Sequence, residues 1–137
     1  MEYLLLIYHS ETEWTRRSAA EQEGVYGEYR NLIQELRRSR QLIRGEQLKA
    51  AASSVTVRVR NGEARTTDGP FAETKEQLGG YFLVQVNTLE EAVAIAERIP
   101  SARTGAIEVR EVIPSSIGAR TEIYRGRSST RARSKDK

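Results

Sequence analysis

Hydrophobic positions change their period several times along this chain, and each change marks an element. "YLLLIY" (residues 3–8) is a short unbroken apolar run with no helical spacing around it, which predicts a buried, central β-strand. A polar loop follows, and then Ser18 and Glu21 form the Ser-x-x-Glu pattern of a capping box. Val25, Tyr29, Leu32, Ile33 and Leu36 recur at three-and-four spacing, so a helix is predicted from about Ala19 to about Arg40. Val55, Val57 and Val59 alternate with Thr56, Arg58 and Arg60 up to Asn61-Gly62, a dipeptide suited to a type I′ turn. That pattern predicts a β-hairpin over residues 55–67 with one wet face. "YFLVQV" (81–86) reads as a further strand. Thr88 and Glu91 then cap a second helix whose face carries Leu89, Ala92, Val93, Ala96 and Ile99, and Pro100 ends it. "GAIEVREVI" (105–113) supplies the last strand.

In order, these elements give the split βαβ plan with one extra strand. The predicted fold is therefore α+β: a ferredoxin-like βαββ(β)αβ domain, its antiparallel sheet carrying two helices on one face. The first strand and "YFLV" are apolar on both sides, so the other face needs cover. Two sheets packed face to face in a homodimer would supply it.

A length of 137 residues fits one domain, read here as residues 1–114, with an appendage over 115–137. No apolar run approaches the roughly 20 residues of a membrane-spanning helix. Glu2 and Tyr3 at the start do not resemble the basic region of a secretory signal, so the expected location is cytoplasmic, with no membrane partner. The chain has no cysteine and one histidine, which excludes disulfides, thiolate ligands, a cysteine nucleophile and a multi-histidine metal site within one chain. No metal or cofactor is expected.

The chain's net charge of +3 is unevenly distributed. Residues 115–137 hold seven basic and two acidic side chains, or +5, which leaves −2 for the rest. The tail is rich in Ser, Arg and Gly and poor in apolar residues, so its composition predicts disorder. Its arginines could hold phosphates without reading sequence. With no aromatic residue interleaved beyond Tyr124, and a mildly acidic folded part, nucleic acid is not the expected partner.

One stretch departs from this ordinary pattern: "TDGPFAETKEQLGGYFLV", preceded by "TVRVRNGEARTTDGPF" and followed by "LEEAVAIAERIPSARTGAIEVR". It resembles the YCII-related family, in the branch named after its Asp-Gly-Pro-Phe motif, over about residues 1–113. The resemblance implies a dimeric α/β-barrel fold and says more about architecture than about activity. Some members of the wider family resemble enzymes in which a helix histidine pairs with an aspartate in a cleft. Matched by its helix and the following Leu-Ile, this chain has Tyr29 at the histidine's place, so that dyad is broken. Tyrosine has a reference pKa near 10 and is a poor base at neutral pH, though it can donate a proton. The branch's association with extracytoplasmic-function sigma factors implies a stress or signalling context.

The candidate catalytic residues are Asp68 as base, with Tyr29 or His9 as proton donor. His9 ends the first strand, where a titrating group could stand at a cleft mouth. Candidate ligand-binding residues are Glu46, Asp68, Phe71, Glu73, Lys75 and Tyr81, and Gly79-Gly80 would let backbone approach a ligand closely. The same motif has a purely structural reading: Asp accepting backbone amides, Gly at positive φ, Pro fixed, and Phe plugging the core. Trp14 either packs on the helix start or lids the cleft. These residues leave three functions open: a domain binding a small polar molecule in a cleft between sheet and loop, an acid–base enzyme (lyase, isomerase or dehalogenase) using that cleft, and a regulatory protein binding a sigma factor or nucleic acid.

Overall fold

A computed structural model describes residues 1–114; the tail over 115–137, with its predicted disorder and phosphate-binding arginines, lies outside the described residues. The described chain runs β1 (Glu2–His9), α1 (Glu11–Arg16), α2 (Ala19–Arg38), β2 (Leu42–Gln47), β3 (Val55–Arg60), β4 (Glu63–Asp68), β5 (Gln77–Gln85), α3 (Leu89–Arg98) and β6 (Ala106–Glu111). Four strands form one antiparallel sheet in the order β2-β5-β1-β6, with β1 and β5 at the centre. This is the ferredoxin-like split βαβ order, with β3 and β4 inserted between the second and third strands of the plan.

Two features depart from the sequence-based expectation. The predicted hairpin is present, but β3 and β4 form a separate two-stranded sheet and leave the main sheet at four strands. The place beside β5 is taken by β2, "LIRGEQ", where no strand was predicted. At this edge only Leu42 is half-buried, so the segment has no alternating pattern to reveal it. The polar segment after β1 likewise contains the six-residue helix α1, too short to establish a helical period.

Local sequence accounts for the helix boundaries. The Ser18 hydroxyl accepts from the Glu21 amide at 3.1 Å, and the Glu21 carboxylate accepts from the Ser18 amide at 2.8 Å, completing the capping box of α2. At the other end the Gln41 amide reaches back to the Leu36 carbonyl at 2.9 Å, and Arg40 takes φ 62°, closing the helix two residues before the predicted end. Thr88 caps α3 through the Glu91 amide at 3.1 Å.

Strand alternation then divides the sheet. Tyr3, Leu5 and Ile7 of β1, with Phe82 and Val84 of β5, turn to the helices and pack with Leu32 and Leu36 of α2 and Ala92, Ile95 and Ala96 of α3. Leu4, Leu6, Tyr8, Tyr81 and Leu83 take the opposite face and are only half-buried. On the hairpin, Val55, Val57 and Val59 are each close to 60% exposed, at 59%, 60% and 58%. An isolated two-stranded hairpin is marginal in water; here its ladder runs on past the strands, the Gly69 amide bonding the Ser54 carbonyl at 2.7 Å.

Leu36 is 1% exposed at the centre of the helix–sheet contact. Leu36→Ala is expected to lower unfolding free energy by about 2–5 kcal/mol, the range for buried Leu truncations. Urea denaturation with an unchanged m-value checks it.

Candidate functional site

At the His9 end of the sheet the helix-facing side chains give way to glycine. Gly45 of β2 and Gly79 and Gly80 of β5 all line a cleft of about 480 Å³ between the sheet, α1 and α2. Its deeper walls are Ile7, Phe82, Val25 and Ile33; its rings are His9, Trp14, Tyr26 and Tyr29; and its rim includes Arg30, Gln47 and Lys49. The size falls within the range of small-molecule sites.

Each glycine is there because something stands where its side chain would be. Pairing between β1 and β5 slips at Ile7/Tyr8, so that Gly79 is an extra residue on β5, a β-bulge. A methyl group at Gly79 would lie 2.7 Å from His9 Nε2, and one at Gly45 would lie 2.8 Å from the Phe82 ring. The imidazole therefore lies over β5, and the Phe82 ring over β2. Gly79 was read as a place for a ligand to approach; its near neighbour is the His9 ring.

The aromatic side chains hold one another edge-on. His9 and Trp14 have ring centroids 6.3 Å apart, Trp14 and Tyr26 are 5.5 Å apart, and Tyr29 meets Phe82 at 6.2 Å and 88°. The Arg17 guanidinium lies 5.6 Å from the Trp14 ring. The Tyr29 hydroxyl is 2.8 Å from that of Ser101, which follows α3. Burial raises the Tyr29 phenol above its ordinary value, although the Ser101 hydrogen bond and the Arg103 charge pull the other way. At neutral pH Tyr29 is therefore a neutral hydrogen-bonding group able to donate.

The predicted site residues divide by location. His9 and Tyr29 line the cleft together. Glu46 borders it, but the register sets it opposite Tyr81, and its carboxylate pairs with Arg44 at 3.0 Å, so its side chain shares the sheet's open face. Tyr81 also lies on that open face. Asp68 ends β4 on the hairpin, outside the cleft of its own chain, and among the described residues its carboxylate has no hydrogen-bond or ion-pair partner. Glu73 and Lys75 are exposed in the following loop. Phe71, read as a core plug, is 78% exposed; the loop leaves the hairpin through Gly69 at φ 97°, which carries it away from the core.

Sequence reasoning passed over several cleft residues. Tyr26 lies one turn before Tyr29, and Ser101 directly follows the helix-ending Pro100. Lys49 lies just past the unpredicted β2. Only Tyr26 had a usable signal, its i, i+3 relation to Tyr29. Glu11 is structural: its amide donates to Gln77 Oε1 at 2.9 Å and its carboxylate accepts from the Ala51 amide at 2.9 Å, tying α1 to β5 and to the segment past β2. Among the described residues no three His, Asp or Glu side chains gather as a metal centre requires, and no helix is long and apolar enough to cross a membrane.

The model of the YCII-related domain matches residues 1–116. The chain belongs to the YCII-related family. A curated relative, an uncharacterized protein of Rhizobium meliloti (strain 1021), is 34% identical over 112 residues, covering 80% of this chain and 90% of that protein. The family match thus takes in every element of the sheet and cleft, and residues 117–137 fall outside it.

Two expected outcomes test this geometry. Because burial raises the Tyr29 phenol in the fold, its contribution is complete below the ordinary phenol value near pH 10 and is lost as pH rises from there through the raised folded value. Tyr29→Phe is expected to cost about 1 kcal/mol at neutral pH, with the gap to wild type shrinking above about pH 10 in urea titrations. Gly79→Ala is expected to displace the His9 ring, visible as shifted imidazole proton resonances, and to destabilise by about 1–3 kcal/mol.

Proposed function

We propose that this protein is a cytoplasmic, homodimeric binding domain for a small molecule with a polar end, held in the cleft between α2 and the sheet. The observation that carries this reading is the cleft itself: about 480 Å³, walled by rings and aliphatic side chains, with a few polar groups at defined places. It lies between helix and sheet, so the site expected beside the Asp-Gly-Pro-Phe loop moves to the helix-covered face. The resemblance to the Asp-Gly-Pro-Phe branch adds a stress or sigma-factor-linked context to this reading. The dimer is supported by the half-buried apolar row Leu4, Leu6, Tyr81 and Leu83 on the open face, which a second sheet would cover.

A second reading, acid–base catalysis in the same cleft, is favoured by one observation: His9 and Tyr29 line it together. With Tyr29 held protonated, it is the donor, and the base role falls to His9 rather than to Asp68 of the same chain.

Thr15 is an exposed cleft residue, so Thr15→Trp fills the space with little risk to the fold. A ligand-observed NMR screen of small ring compounds is expected to give hits on the wild type that vanish with Thr15→Trp; hits that persist equally on both proteins would contradict the cleft. In sedimentation, the wild type is expected at twice the 15.5 kDa chain mass and Tyr81→Arg at one chain mass. A wild-type monomer at micromolar concentration would contradict the dimer.

A further inference from the structure

The charged groups of the cleft differ in how far they are committed to partners. Of its two carboxylates, Glu11 accepts from the Ala51 amide and Glu46 pairs with Arg44. The Arg30 guanidinium pairs with Glu23, about two helix turns away on α2. Lys49, on the rim just past β2, has no hydrogen-bond or ion-pair partner among the described residues. Among the described residues Lys49 is thus the cation of the lining with no ion-pair partner, while the Glu11 carboxylate is tied to backbone beside the rim.

A second polar position in the same lining is the Tyr29–Ser101 hydroxyl pair. Whichever hydroxyl donates within that pair, the other keeps its proton free for an acceptor. Alongside these polar positions the lining has the faces and edges of Trp14, Tyr26, Tyr29 and Phe82, which suit a flat ring through stacked or edge-on contacts.

From this arrangement we infer that the cleft takes a ring acid: a flat, unsaturated ring carrying a carboxylate that meets Lys49 and an oxygen substituent that meets the Tyr29–Ser101 pair. The inference rests on the cleft being the ligand site, and it adds the ligand's chemical class. A single carboxylate is favoured over a phosphate ester because only one cation is free to receive it. The ring is favoured over a flexible chain because the rings are already fixed by one another, leaving little ordering cost on the protein side.

Calorimetric titration of the full chain at pH 7 with three probes tests the class. The probes are 4-hydroxybenzoate, 4-hydroxybenzyl alcohol with the same ring and no charge, and hexanoate with the charge and no ring. Hydroxybenzoate is expected to bind about five-fold tighter than the alcohol, the factor that corresponds to a partly exposed ion pair, and at least as much tighter than hexanoate, which lacks the ring contacts. Lys49→Gln is expected to bring hydroxybenzoate within about two-fold of the alcohol while leaving the alcohol unchanged, and Lys49→Arg to restore the preference. Lys49 is exposed, so both variants are expected to fold. Equal affinity for the alcohol would overturn the anion, and equal affinity for hexanoate would overturn the ring, each with the cleft itself intact. If none of the three binds, the class is overturned, and the Thr15→Trp screen decides separately whether the cleft reading falls with it.

Discussion

The architecture depends on β1 being paired on both sides, with β5 on one edge and β6 on the other. A strand so placed has every backbone group committed, so its side chains must be sorted strictly by alternation. Tyr3, Leu5 and Ile7 go to the helices, while Leu4, Leu6 and Tyr8 go to the open face. Both rows are apolar at most positions; helices cover the first, and the proposed dimer would cover the second. A one-residue slip would exchange the rows and destroy the helix packing, so the register is strongly specified.

The same alternation explains the cleft. Along the helix-facing row the sheet supplies Val84, then Phe82, then Gly80, and the edge strand adds Gly45 beside Phe82. Helix α2 crosses this gradient, packing Leu36 and Leu32 tightly at the full end. Over the other end it holds Tyr29, Tyr26 and Val25 above a floor of Ile7, Phe82 and Gly80. The bulge at Gly79 lets His9 fold over that floor, and Glu11 fixes α1 as the outer wall through two hydrogen bonds. The recess therefore depends on glycines that let the His9 and Phe82 rings lie flat over the strands, with the rings bracing one another.

How much of this could be read from the residues varies by element. The caps at Ser18 and Thr88 were legible because capping is local chemistry, and the hairpin because Asn61-Gly62 and the Val alternation agree. Strand β2 was illegible: an exposed edge strand needs one paired edge, which is a property of β5. For the site, His9 was found from its place at a strand end, and Tyr29 through the resemblance, which sets it where the wider family carries a helix histidine. Asp68 and Phe71 drew attention because their motif is unusual, yet an unusual motif says where a backbone turns as readily as where chemistry happens. Here Gly69 turns the chain away from the cleft, and what the motif region contributes to it is the glycine pair of β5.

A crystal structure of the protein under xenon pressure tests most directly whether this floor leaves a real apolar recess. Xenon enters accessible apolar space and has no chemistry with which to create it. The expected result is a xenon atom between Ile7, Ile33 and Phe82, with Tyr29 still bonded to Ser101. Helix α2 seated directly on Gly45, Gly79 and Gly80, with no xenon between, would contradict the account.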